Sequence, residues 1–465
     1  MVEFPVGGRK MSGALRDEAV NSGTRGGASR SNGWSYSFVY QESPGKCEYL
    51  SLFNCNGLQS RMMNATVHLA EDLLAEILVR LPVKDLLRSR CVSKPWCSLI
   101  DSPRFVRAHL KRSIECKTNK GVIFRGFHAY SVDFDSLDDT TAVKIDEPLT
   151  TLLCGTGVVG SCNGLLCLYQ KKTDIFLWNP GTRKCRVLPT APTDFVRPYD
   201  IDPTFIRGFG YDAVNDDYKV LRILNPYGRD NLTGSKVVVY SLKTNSWRRL
   251  QSISNHFRLS PSCGMFVGGA LHWITIKTLG LESCLSILAF DLAIENHREV
   301  PMPNVRNKNP NEWSLCIFAE SLCVLIHDPF VSIDVWLMNE YGDGNSWCKL
   351  FSLEHRQFVR FKYVRPVAYS KSRRDVLVEV GDEKVMWYTF SCDKVMWYNL
   401  ERKNIRAVKI ANMPDVFHDL EVYTESLVPL DYTFSCDGKQ PQEKQKQQKR
   451  NERDRFLSKG FKLVL

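Results

Sequence analysis

Several chemistries are missing from this 465-residue chain. It has 16 cysteines but no Cys-x-x-Cys pair, the nearest neighbours being Cys162 and Cys167. Zinc sites draw their ligands in close pairs, and disulfide scaffolds belong to short secreted chains. The thiols therefore read as reduced and packed as small apolar groups. No run nears the ~18 apolar residues that a membrane-crossing helix needs. The opening MVEFPVGGRKMSGALRDEAV has no apolar core of a signal peptide. The expected location is cytoplasmic and/or nuclear, where the sequons at Asn64 and Asn231 carry no meaning. There is no Gly-x-x-x-x-Gly-Lys-Ser/Thr, no Gly-x-Gly-x-x-Gly opening a helix, no Gly-x-Ser-x-Gly and no His-Glu-x-x-His. The nine histidines never form a close pair, and His272 in "ALHWIT" reads as a structural strand residue. The expectation is a non-enzyme with no metal and no cofactor.

What is present begins with charge. The net charge is +11, but residues 439–465 hold nine Lys/Arg against three Asp/Glu, so more than half the excess sits in the tail. Its "KQPQEKQKQQKRNERDR" is Gln/Lys-rich and reads as a solvated, disordered segment. The remaining body is near neutral, so nucleic acid is not an expected partner. A hydrophobic fraction of 43% with 24% charged residues is that of a globular protein.

Four regions follow from the pattern: a disordered leader over 1–61, a helical module over 62–112, a strand-rich domain over 113–432 and a disordered basic tail over 433–465. The leader contains "NSGTRGGASRSNG" and ends before Met62-Met63, a second possible translation start. From Leu69 the period becomes helical, with Leu69, Leu73, Leu74, Ile77, Leu78 and Leu81 on one broad face until Pro82 stops it. Asp85 opens a second short helix carrying Leu86 and Leu87. Ser93 caps a third, with Pro95 in its first turn and Trp96, Leu99 and Ile100 inward. Ser102-Pro103 caps a fourth, with Phe105, Val106 and Leu110. So small a unit cannot bury all of these apolar residues itself, which marks a protein–protein surface.

Beyond Lys120 strands alternate with turns, and a repeat emerges. Trp178, Tyr240, Phe290, Trp336 and Tyr398 recur at spacings of 62, 50, 46 and 62. Seven residues after four of them stand Cys185, Trp247, His297 and Ile405; in the Trp336 copy "EYGDGN" delays the match to Trp347. Each copy is a hairpin preceded by another, turning at Asn163-Gly164, Val214–Asp217, Gly268-Gly269, Glu320-Ser321 or Lys371–Asp375. Four strands per repeat make a β-propeller blade. A further blade combines residues 121–134 with the last strand, 420–430, which closes the ring and removes exposed edges. The fold class is mainly β with a small N-terminal all-α module, six blades favoured and seven possible. "KVMWY" at Lys384–Tyr388 recurs at Lys394–Tyr398, a ten-residue insertion whose second copy holds the strand slot.

The segment "LAEDLLAEILVRLPVKDLLRSRCVSKPWCSLIDSPRF" resembles an F-box, with Ala70 where the family usually has Pro and Pro95 within "SKPW" as departures. "VVGSCNGLLCLY", "LWNPGTRKCRVLP", "GFGYDAVNDDYKV" and "GMFVGGALHWIT" resemble the kelch-like F-box-associated domain of plant F-box proteins. The resemblance implies a substrate receptor of a Skp–cullin–F-box ubiquitin ligase: the F-box docks on a Skp-type adaptor, and through it a cullin, while the propeller holds a target protein. It implies adaptor contacts from Leu69, Leu73, Ile77, Leu78, Leu81, Pro82, Leu86, Val92 and Trp96. A non-degradative propeller scaffold and a carbohydrate-binding propeller, the latter hinted at by "NSW" turns, are the alternative readings.

Overall fold

The structure, a computed structural model, describes residues 71–431 except 127, 139, 146–155, 171–173, 193–204, 225–234, 255–256, 260–262, 280–281, 306–312, 329–331, 355–357, 359–362, 382–393 and 414–416. The leader, Leu69, the first KVMWY copy and the basic tail lie outside the described residues.

Four helices come first: α1 (Glu71–Leu78), α2 (Val83–Ser89), α3 (Lys94–Asp101) and α4 (Pro103–Glu115). Two serine caps form as their sequence context dictates. The Ser93 hydroxyl accepts from the Trp96 amide and the Ser102 hydroxyl from the Phe105 amide, each with proline in the first turn. Helix α2 begins at Val83, two residues before Asp85, because extended Pro82 serves as its N-cap and leaves Asp85 in the first turn. Leu78, Leu86, Ile100 and Phe105 form the core of this module, joined by half-buried Leu74, Leu81, Trp96 and Leu99.

The rest is antiparallel sheet. Strands β1 (Lys120–Gly126), β2 (Ala129–Asp133) and β3 (Val143–Ile145) join β25 (Phe417–Thr424) in the order β25-β1-β2-β3, so the two ends of the domain share one sheet. Next come β4 (Thr156–Cys162), β5 (Leu165–Gln170), β6 (Asp174–Asn179) and β7 (Lys184–Val187). The meander β8 (Phe205–Asp212), β9 (Asp217–Leu224), β10 (Lys236–Ser241) and β11 (Ser246–Arg249) is followed by β12 (Phe257–Leu259), β13 (Cys263–Val267), β14 (Ala270–Leu279), β15 (Glu282–Asp291) and β16 (Asn296–Val300). A two-residue parallel contact between β8 and β13 merges these into one nine-stranded sheet. Two four-stranded meanders complete the domain: β17 (Trp313–Phe318), β18 (Ser321–Asp328), β19 (Ser332–Met338) and β20 (Trp347–Glu354), then β21 (Tyr363–Tyr369), β22 (Asp375–Gly381), β23 (Lys394–Asn399) and β24 (Asn404–Ala407).

The arrangement is propeller-like. First strands pack on one another, β25 on β4, β4 on β8 and β13, and β17 on β13 and β21. Apolar clusters fill the space between each meander and the next, and a last one joins β22 and β23 to β1 and β25. Sheet-on-sheet burial, repeated around the cycle, supplies the core that no single meander can make.

The repeat is visible as register. Trp178 lies opposite Cys185, Tyr240 opposite Trp247, Phe290 opposite His297 and Tyr398 opposite Ile405. The residue after each aromatic (Asn179, Ser241, Asp291 or Asn399) accepts an amide hydrogen bond inside the turn. The residue before the return strand (Arg183, Asn245, Glu295 or Lys403) takes positive φ. One copy departs from the sequence expectation. Met338, buried and opposite Trp347, fills the slot assigned to Trp336, which instead faces Lys349, two positions farther from the turn. The turn after β17 is likewise Ala319-Glu320, both at positive φ, rather than Glu320-Ser321. The second KVMWY copy forms β23, with Tyr398 fully buried.

Candidate functional site

The helical module sorts its apolar residues into two sets. Leu73 (58% exposed) and Ile77 (54%) stand one turn apart on the outer side of α1, and Val92 (63%) sits in the loop between α2 and α3. Pro82 is exposed, while Leu81 and Trp96 are half-buried against the core. Leu78 and Leu86, expected among the contact residues, are instead turned inward at 1% and 0% exposure. They present no surface to a partner, because α1 uses its Leu74–Leu78 side to cover α2 and α3. Exposed aliphatic side chains gathered on so small a unit are unfavourable in water and mark a surface meant to be covered.

The module is braced, within itself and against the sheets, by contacts that its sequence does not announce. His109 of α4 is fully buried, and its Nε2–H donates to the Leu81 carbonyl 2.9 Å away, tying α4 to the turn that exposes Pro82. Burial holds its pKa below the ordinary imidazole value despite that hydrogen bond, so the ring is neutral. Arg107 of α4 reaches Asp216, in the β8–β9 turn, at 3.3 Å. The chain after β25 runs between module and sheets. The Asn179 amide donates to the carbonyls of Ser426 and Val428, Arg186 donates to that of Leu430, and Leu427 packs on the helical core.

Comparison with known families decides what this surface belongs to. Residues 67–108 match the F-box domain, and residues 120–430 match the F-box associated beta propeller domain. The chain is a plant-type F-box protein. It is 34% identical to F-box protein CPR1 of Arabidopsis thaliana, over 85% of this chain and 98% of that protein. F-box protein At4g22390 of the same plant is 32% identical with the same coverage. An Arabidopsis F-box/kelch-repeat protein, At3g23880, is 28% identical over 63% of this chain and 82% of that protein.

Neither matched family is a catalytic one. Among the described residues no group of three His, Cys, Asp or Glu is placed to hold a metal ion, and no helix is long and apolar enough to cross a membrane. Buried polar residues of the propeller have structural partners instead. His272 donates from Nδ1 to the Met265 carbonyl and accepts at Nε2 from the Tyr341 hydroxyl, and burial pushes its pKa down to about 4. The Lys219 ammonium bridges Asp212 and Glu295 at 2.7 and 2.8 Å and donates to the Leu292 carbonyl, linking two meanders of the nine-stranded sheet.

Proposed function

We propose that this F-box protein is the substrate-recognition subunit of a Skp–cullin–F-box ubiquitin ligase. The exposed aliphatic set Leu73, Ile77 and Val92 carries the reading: it lies on a domain whose family implies a Skp-type adaptor, and it is separate from the residues that build the F-box core. Leu81, Pro82 and Trp96 border the set, and Leu69 precedes it. The adaptor bridges to a cullin. The receptor performs no bond-making; it raises the effective concentration of a target lysine near activated ubiquitin.

The nine-stranded sheet divides into two blades at its short parallel contact, so we count six blades, with β25 and β1 closing the ring. The F-box rests on the end that carries the β4–β5 and β8–β9 turns, which leaves the opposite end for a target protein in the cytoplasm or nucleus. A pull-down of the full chain should recover Skp-type adaptor and cullin together, and Ile77→Asp should recover neither. A target found by proximity labelling should accumulate on proteasome inhibition. A chain that brings down adaptor but changes no target level is a scaffold, and the ligase reading then fails.

A further inference from the structure

A groove of about 320 Å³ lies in the seam between α4 and the propeller. Val106, Leu110 and Ile114, at helical spacing, form one side; Tyr211, Tyr218 and Val428 form the other. Ile114 in the last turn of α4 is 39% exposed. The Arg107–Asp216 and Lys111–Glu115 ion pairs stand at the rim and offset each other's charge. The F-box surface described above does not include this groove, so adaptor docking does not account for it. Its volume is at the low end of the range for pockets that enclose a small ligand, about 300–1,000 Å³. A stable dimer needs roughly 1,000 Å² or more of buried surface, far more than these few side chains offer.

The same chain carries a short apolar segment after its basic run. Residues 439–455 contain no aliphatic or aromatic side chain, whereas residues 456–465, "FLSKGFKLVL", contain six: Phe456, Leu457, Phe461, Leu463, Val464 and Leu465. The described chain ends at Asp431, two residues beyond Pro429, which itself lines the groove. A chain of about 24 residues, the length of the connector, has an average reach of roughly 25–30 Å. A tethered segment of that kind meets its site at an effective concentration of about a millimolar, so even a weak contact is populated.

We propose that residues 456–465 dock in this seam groove of their own chain, their apolar side chains covering Leu110, Ile114 and Tyr211. The docked segment holds α4 against the propeller and so fixes the angle between F-box and target-binding domain. Amide hydrogen exchange across α4 tests this in three forms of the full protein: the intact chain, a chain ending at Arg455, and Ile114→Glu. The truncation and the substitution should each speed exchange in the last two turns of α4 by at least threefold. Their combination should add nothing further. A synthetic peptide of residues 456–465, at millimolar concentration, should restore protection to the truncated chain. Unchanged exchange after truncation overturns the proposal, and so does protection that disappears on dilution, which assigns the groove to a second copy. The truncation removes no residue of the described core, so the test stands even if Ile114→Glu does not fold. It needs no adaptor, and its failure leaves the ligase reading untouched.

Discussion

Ile77→Ala separates the two jobs of the F-box. The Ile77 side chain is 54% exposed, so folding buries less than half of it. Full burial of such a side chain stabilises by about 1.5–3 kcal/mol, so its loss here costs roughly 1 kcal/mol. Alanine's better helix propensity returns a few tenths of that, about 0.4 kcal/mol. No enclosed cavity forms at an open surface. The net change in stability should stay near 0.5 kcal/mol. Leu86→Ala, at 0% exposure in the same module, empties a closed site and should cost about 2–5 kcal/mol. Against a Skp-type adaptor the order reverses for the residue that matters: truncating an anchor at the centre of an interface costs about 2 kcal/mol or more, near thirtyfold in Kd. Urea denaturation of the full chain and calorimetric titration with adaptor read the two quantities separately. If Ile77→Ala binds as tightly as the wild type, the exposed set is not the adaptor contact. If it destabilises as much as Leu86→Ala, the division into core and surface residues is wrong.

Gly164→Ala should destabilise the protein by about 2 kcal/mol or more in urea denaturation, since φ is +82° and an added Cβ would lie 2.5 Å from the Thr424 carbonyl oxygen. Lys219→Met strips the ammonium from Asp212 and Glu295 and should cost about 3 kcal/mol by the same measurement. His272 has a folded pKa near 4 against an ordinary 6.5, so the unfolded chain binds the proton first and stability falls as pH drops from 6.5 towards 4. That group alone should remove about 2 kcal/mol between pH 7.5 and pH 5, and His272→Phe should flatten the decline. Deleting Val385–Lys394 restores a single "EKVMWYNLERK" strand and should leave the melting temperature unchanged; a drop of several degrees would make the insertion part of the blade.

Much of this architecture was legible because its determinants are local. Ser93 and Ser102 announce helix starts through the prolines that follow them. The seven-residue offset from Tyr240 to Trp247 is a hairpin register, set by a turn that carries its own capping residue. The closing strand could be read because one blade lacked its partner at each end of the domain, although it spans Phe417–Thr424 and not 420–430. Other features depend on geometry that spacing does not encode. α1 has apolar residues on both flanks, so periodicity could not say that Leu78 faces the core while Ile77 faces out. Trp336 has the spacing of the repeat's aromatic, but a longer turn moves the slot to Met338. The bracing of the F-box rests on His109 meeting the Leu81 carbonyl and Arg107 meeting Asp216, 28 and 109 residues apart. No local pattern marks such pairs.

The sharing of one sheet by β1 and β25 also orders events on the ribosome. About three hundred residues separate these strands, and synthesis at roughly 5–20 residues per second takes some 15–60 seconds to cover them. The F-box, contiguous and N-terminal to the propeller, has left the exit tunnel well before the ring can shut. During that interval its aliphatic surface is available while the unpaired edges of β1 and of the newest meander are still exposed. On the receptor reading proposed above, an adaptor that binds the nascent chain meets a ring that is still open, and pairing of the last strand separates assembly from recognition in time.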